Sequence, residues 1–250
     1  MGRFFSAWEP FLSRVPGEGV RVVEHAVQCA PLAGLKLAFF SDIHASPRFS
    51  DAALEALFAR VDALGADAVC VGGDFAEDAR SLGRLLPFFS LLHPRLGIFA
   101  CKGNNDSEIE GFEAAVRPYM RLLVNRSVEL GGLWIGGVDE RKWGVPRAGE
   151  VFPAGARGFR VLLAHYPVAQ VYAGGARADL QLSGHTHGGQ ACVLGVSPYT
   201  FFFEPRRHAW ISGECVLGGV RAIVSNGVGM SRVCLRVGVP PQVHLIRFVA

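Results

Sequence analysis

The amino-acid sequence predicts an α/β fold of two packed sheets with helices outside. Three observations carry this. Short continuous apolar runs alternate with helix-period segments in the first half, and strand-like runs follow one another with little helix in the second. The 250 residues, half of them hydrophobic, are enough for one sizeable core.

Taken in order, Val20 to Gln28 alternates as an edge strand does. Leu35 to Ser41 (LKLAFFS) is apolar without alternation, the pattern of a strand buried on both faces. Ser50-Asp51 offers an N-cap to AALEALFARVDAL, in which Leu54, Leu57, Phe58 and Val61 share one helical face. Further buried strands are expected at Ala68 to Gly72 and Leu96 to Cys101, with helices around Arg80 to Leu92 and over Glu108 to Val116. That order argues for a parallel sheet with crossover helices. In the second half Leu133 to Val138, Phe159 to Ala164, Leu180 to Ser183, Gln190 to Val193, Trp210 to Leu217, Ala222 to Ser225 and Val243 to Val249 read as strands. Only Val168 to Ala173 reads as helix there, so most of these strands are assigned to a second sheet. Gly144 to Gly158 is a Gly/Pro-rich loop. Residues 1–19 are read as an N-terminal extension and 20–250 as a single domain.

Net charge is only +3 and no Lys/Arg block stands out, so nucleic acid is not an expected partner. The six cysteines are scattered with no CxxC pair, which predicts buried free thiols in a reducing compartment. No stretch approaches the roughly 18 apolar residues of a membrane span, and the first twenty residues lack a signal-peptide core. The expected location is therefore the cytoplasm. Aromatics near the N-terminus would allow a peripheral anchor, limited by Pro10 and Pro16. Tyr199 to Arg207 (YTFFFEPRR) has two readings: a lipid-facing rim, or a hairpin closing the core beside a solvated turn.

Each first-half strand ends in a polar cluster: Ser41-Asp42-Ile43-His44, Gly72-Gly73-Asp74 and Gly103-Asn104-Asn105-Asp106. The carboxyl ends of parallel strands form one rim where ligands bind, so these side chains converge. The second half adds Ala164-His165 and Gly184-His185-Thr186-His187-Gly188-Gly189, each after an apolar strand. Asp42, His44, Asp74, Asn104, His165, His185 and His187 make a mixed nitrogen and oxygen set suited to Zn, Mn, Fe or Mg. Seven ligands exceed one tetrahedral ion and suit two ions sharing a carboxylate bridge. Two such cations can polarise phosphoryl oxygens and activate water for in-line attack on phosphorus. His25, His93, His208 and His244 have no such company and are read as structural.

In order from Asp42 to Gln190, the DxH, GD, GN-x-D, lone His and GHTHGGQ motifs resemble the signature of the calcineurin-like metallophosphoesterases. The tail, Val224 to Ser231 and Leu235 to Gln242, is similar to a bacterial membrane-associated phosphohydrolase branch of that family. The resemblance implies a four-layer α/β/β/α sandwich of two mixed sheets. It implies one divalent cation on Asp42, His44 and His187, a second on Asn104, His165 and His185, and Asp74 as the bridge. Asn105, Asp106 and His185 are the implied catalytic residues. The family usually has GNH, and Asn105 stands where that His would be. Asn cannot act as an acid near neutral pH but can donate a hydrogen bond to a phosphoryl oxygen. For Asp106, orienting Asn105 and capping the next helix both remain open.

The implied activity is a dinuclear metal-dependent phosphohydrolase acting on a lipid-linked or nucleotide phosphodiester or pyrophosphate, with peripheral contact to the inner face of the membrane. Its narrow form is a UDP-diacylglucosamine pyrophosphatase, since members with that activity also lack this His. The rival expectation is a non-catalytic scaffold of the same fold.

Overall fold

The computed structural model describes residues 11–168, 177–193, 197 and 210–250. After β1 (Leu12–Ser13) and β2 (Arg21–Gln28), the first half runs β3 (Lys36–Phe40), α1 (Asp51–Asp62), β4 (Ala68–Val71), α2 (Ala79–Leu85), β5 (Gly97–Ala100), α3 (Phe112–Val116) and β6 (Arg121–Leu122). It continues with β7 (Arg126–Leu130), β8 (Leu133–Gly137), β9 (Phe159–Leu163), β10 (Leu180–Ser183), β11 (Gly213–Leu217), β12 (Val220–Val224), β13 (Arg236–Val237) and β14 (Gln242–Val249).

These strands form two six-stranded mixed sheets, ordered β2-β14-β3-β4-β5-β6 and β11-β12-β10-β9-β8-β7. β3, β4, β5 and β6 are parallel neighbours, as are β8, β9, β10 and β12. Each parallel run therefore presents its carboxyl ends along one edge, and the loops that carry the polar clusters leave from there. The fold class expected from the sequence is thus the one observed.

Between the sheets lies an apolar layer that includes Leu37, Phe39, Cys70, Phe99, Ile135, Val161, Leu163, Leu182 and Ile246. The opposite face of the first sheet packs Phe40, Val69 and Val71 against Leu54, Phe58 and Val61 of α1 and Leu82 and Leu85 of α2. Ser50 caps α1 by accepting a hydrogen bond from the Ala53 N–H at 3.2 Å. Loss of a large aromatic such as Phe58 from such a layer costs about 3–5 kcal/mol. On the outer face of the second sheet, the Gly/Pro-rich loop folds back. Ala148, Val151 and Phe152 bury there against Leu162 and Ala164.

Several expected elements come out differently. The helix expected over Arg80 to Leu92 is α only to Leu85. Pro87 lacks the N–H an α-helix needs, and Leu86–Leu91 tightens into 3-10 geometry. The helix expected over Glu108 to Val116 is split by Gly111, at φ 73°, into a 3-10 turn at Asp106–Glu108 and α3. Gln190 to Val193 is not a continuous strand: Gln190 has φ 53°, and Ala191, paired with Val237, and Val193 make isolated bridges. β14 inserts into the first sheet, parallel to β2 and antiparallel to β3. β7 completes the second sheet where no strand was expected. Part of the N-terminal segment is tied down, with Leu12 and Ser13 paired to Val237 and Arg236. Beyond Val168 the expected helix, together with Tyr199 to Arg207 and His208, lies outside the described residues.

A polar chain, buried at its two histidines and exposed at its carboxylate, joins the two sheets at one side. Glu214 of β11 accepts from His25 Nδ1 at 2.5 Å, and His25 Nε2 lies 2.9 Å from His244 Nδ1 of β14. His244 also packs against Phe39. Burial, reinforced by His25, drives the His244 imidazole down to about 3. In the unfolded chain the ring titrates near ~6.5, so below that pH the unfolded state takes a proton that the folded state refuses. This contribution is absent above about pH 6.5 and destabilises increasingly as pH falls towards 3. His244→Gln, whose amide can take either hydrogen-bonding role towards His25, should flatten the dependence. Between pH 7 and pH 5 the unfolding free energy in urea should drop by about 2 kcal/mol more for the wild type than for the variant. Parallel curves would contradict this assignment.

Candidate metal centre

The loop after β3 carries Asp42 and His44, the loop after β4 carries Asp74, and the loop after β5 carries Asn104. From the second sheet, His165 follows β9, while His185 and His187 follow β10. Backbone hydrogen bonds interlock these loops. His44 N–H donates to the Asp74 carbonyl at 3.1 Å, and Gly184 N–H to the His165 carbonyl at 3.0 Å. The two sheets meet where the His185 N–H donates to both oxygens of Asp42, at 3.0 and 3.1 Å.

Two groups of donor atoms result. Asp42, His44 and His187 offer atoms all within 4.8 Å of one another, and so do Asp74, His165 and His185. Asp74 lies between them: its Oδ2 is 3.5 Å from His44 Nε2 and 3.4 Å from His165 Nε2. His44 Nε2 and His187 Nε2 face each other at 3.0 Å, and His185 Nδ1 faces His165 Nε2 at 3.2 Å. Asn104 adjoins the second group through Tyr166. The Tyr166 hydroxyl donates to Asn104 Oδ1 at 3.2 Å, and its ring lies tilted against His185 with centroids 3.9 Å apart.

The electrostatics call for positive charge. Asp42 and Asp74 are 0% and 3% exposed, and among the described residues neither forms an ion pair with Lys or Arg. Burial pushes the Asp42 carboxyl up. For Asp74 burial acts the same way, but His165 and His44 outweigh it and hold its carboxyl well below the usual range. Burial lowers His165, yet the anionic Asp74 and Asp42 lift it to about 10. Buried carboxylates and imidazoles whose ring nitrogens converge are a donor set that fits divalent cations of borderline hardness, a cation taking the place of the proton that the carboxylates draw onto His165.

Backbone strain concentrates here. Asp42, His44, Asp74, His185 and His187 have φ of 54, 45, 56, 70 and 52°, in the left-handed region that non-glycine residues avoid. Each such residue costs on the order of 1–3 kcal/mol and persists only where its surroundings enforce it. Two glycines permit the close approach. A methyl group at Gly103 would overlap the Asp74 carboxylate, and one at Gly184 would overlap that of Asp42.

Asp106 neither orients Asn105 nor caps a following α-helix. It is fully buried, and its carboxylate accepts from the N–H groups of Asp74 at 2.8 Å, Phe75 at 2.8 Å and Gly103 at 2.7 Å. It therefore laces the second and third loops together. Burial and the charge of Asp74 raise its carboxyl to about 7. Asn105 is aimed by its neighbour: Asn104 Nδ2 donates to Asn105 Oδ1 at 2.8 Å, leaving the Asn105 NH2 group 3.3 Å from His44 Nδ1.

Sequence reasoning missed three residues that hold this site: Glu77, Tyr166 and Arg236. Glu77 accepts from His44 Nδ1 at 2.5 Å. Arg236 is fully buried and has no carboxylate partner among the described residues. Its guanidinium donates to the carbonyls of Asn226 at 2.7 Å and Gly229 at 2.6 Å, and reaches that of His187 at 3.5 Å. Burial lowers it to about 10. Their only sequence signal was proximity to a motif, as in Gly-Asp-Phe-Ala-Glu and His-Tyr-Pro.

The family model for calcineurin-like phosphoesterases matches residues 35–189. The Bacillus subtilis (strain 168) uncharacterized metallophosphoesterase YkuE is 25% identical over 243 residues, covering 90% of this chain and 84% of that protein. A Danio rerio transmembrane protein with metallophosphoesterase domain is 30% identical over 196 residues, 69% of this chain but 45% of its own length. The Chlamydia trachomatis UDP-2,3-diacylglucosamine pyrophosphatase LpxG is 37% identical over 79 residues, 31% of this chain and 24% of that protein. Among the described residues, no helix is long and apolar enough to cross a membrane.

Replacing Arg236 with Met should strand several buried carbonyls at once and lower unfolding free energy by about 3–5 kcal/mol. Lys, with one compact donor head, should recover only part. Urea unfolding of the three proteins tests this, and a change under about 1 kcal/mol would sink the assignment.

Proposed function

The chain belongs to the calcineurin-like phosphoesterase family, and from that premise we propose that it is a phosphohydrolase working with two divalent cations. The observation that carries this reading is the pair of adjoining donor groups with Asp74 between them. Asp42, His44 and His187 would hold one cation and Asn104, His165 and His185 the other, with Asp74 shared. When bound, such a pair supplies Lewis-acid charge at the phosphoryl oxygens and lowers the pKa of a water held at the site.

The chain's own residues have separable roles in this reading. Asn105 donates its NH2 group to a phosphoryl oxygen. His185, which also meets the Tyr166 ring and His165, doubles as a ligand and as a donor towards the same phosphoryl group. Asp106 positions the Asp74 and Gly103 backbone and does not touch substrate. Because Asn105 cannot give up a proton near neutral pH, the reading favours leaving groups that depart as stable anions. A nucleoside phosphate released from a diester or pyrophosphate is one. The narrower form, cleavage of a lipid-linked nucleotide pyrophosphate, draws support from the short match to the chlamydial enzyme. The six free cysteines are in keeping with a cytoplasmic location, and contact with the inner membrane face belongs to this narrower form.

Protein reconstituted with Mn, Zn, Fe or Mg should hydrolyse an aryl phosphodiester, and Asp74→Ala should abolish turnover. Asn105→Ala should reduce kcat by about 10²-fold, the usual effect of removing one donor to a developing charge. A screen of UDP-lipid, cyclic nucleotide and simple monoesters would rank the substrates. Fewer than one ion per chain by metal analysis, with no turnover under any loading, would favour the non-catalytic scaffold.

A further inference from the structure

We propose that Glu77 is a positioning residue that fixes the tautomer of His44 and thereby sets the affinity of one of the two cations, the one assigned to Asp42, His44 and His187. This rests on the dinuclear reading above. The His44 ring is 1% exposed, with Nε2 directed at His187 and Asp74, and with Nδ1 facing Glu77 at 2.5 Å and, farther off, the Asn105 NH2 group at 3.3 Å. A neutral imidazole carries one proton, and a carboxylate can only accept. The 2.5 Å contact to Glu77 Oε1 therefore places the proton on Nδ1 and frees the Nε2 lone pair for a cation.

The backbone brings Glu77 within reach of this ring. Ala45 bridges Ala76, the Ala45 N–H donates to the Phe75 carbonyl at 2.9 Å, and the Glu77 N–H donates to the Ala45 carbonyl at 3.0 Å. The segment after Asp74 thus runs as a short parallel partner of the segment after His44, and Glu77 falls opposite the ring.

The other imidazoles are held differently. His165 Nδ1 donates to the buried Gly72 carbonyl at 2.7 Å, a neutral acceptor. His187 Nδ1 is buried with no partner among the described residues. His44 alone of these three rests on a charged side chain, and that side chain is 38% exposed. Removing its carboxylate should weaken one ion and spare the other.

The test is a Mn²⁺ titration of the metal-free full chain by calorimetry, comparing wild type, Glu77→Ala and Glu77→Gln. Wild type should take two ions. Glu77→Ala should weaken one of them by about 10–100-fold and leave the second unchanged. Glu77→Gln, which keeps an accepting oxygen without the charge, should lie between. The melting temperature of the metal-free proteins should be the same for all three. Unchanged affinities for both ions in Glu77→Ala would overturn the proposal. Equal weakening of both together with a lower metal-free melting temperature would also overturn it, by making Glu77 a structural residue. A wild type that takes fewer than two ions would instead defeat the dinuclear reading before any variant is compared.

Discussion

Asp42 and Asp74 are carboxylates removed from water within electrostatic reach of each other, and each raises the cost of ionising the other unless positive charge joins them. The surrounding groups respond to that constraint. His165 is lifted far above the ordinary imidazole range, while His187, buried beside His44 and Arg236, is pushed well below it. Imidazoles so close cannot all carry a proton towards the same point, so the site presents lone pairs and anions that a cation would satisfy. The fold supports this cluster at the cost of strain. Five candidate ligand residues sit in left-handed backbone conformations, in loops that approach closely enough to require Gly103 and Gly184.

Strained loops stay in place only if something rigid over-determines them. Asp106 does this on the first sheet, where one buried carboxylate collects three backbone N–H groups from two loops. Arg236 does it on the opposite wall, where one buried guanidinium collects carbonyls from the loop after β12 and from the turn at His187. The two are chemical complements: an anion gathering donors and a cation gathering acceptors. The Gly229 N–H donates to the Asp42 carbonyl at 2.8 Å, so the loop that Arg236 holds is itself docked on the first ligand loop.

What the sequence made legible follows from what is local. The buried parallel strands β3, β4 and β5 announce themselves as unbroken apolar runs, and each polar cluster at their ends marks the rim. Pro87 and Gly111 are visible too, but the apolar residues around them keep helical spacing across the break, so the pattern alone does not show where the α-helix stops. Sheet membership is not local. Nothing in the residues of β14 distinguishes insertion between β2 and β3 from pairing in the second sheet, because that choice is settled by partners about two hundred positions away. The same holds at the site. The candidate ligands lie in motifs, whereas Arg236 matters because of where Asn226, Gly229 and His187 bring their carbonyls. The role of Asp106 likewise depended on the fold, which turns it towards backbone rather than towards Asn105.

The two donor groups share a further property that ties chemistry to stability. Each draws on both sheets: Asp42 and His44 from the first with His187 from the second, Asp74 from the first with His165 and His185 from the second. In the proposed reading each cation is therefore a cross-link between layers, added to the apolar interface and to the hydrogen bonds that already join them. A ligand that binds only the folded state stabilises it by about 2.7 kcal/mol at a hundredfold excess over Kd. Two such cross-links would offset several of the strained residues that position them. On this view the left-handed ligands are not an isolated cost at the rim. In the proposed reading their strain, the inter-sheet core and the cations are parts of one balance, in which the ions would stabilise the geometry that phosphoryl chemistry needs.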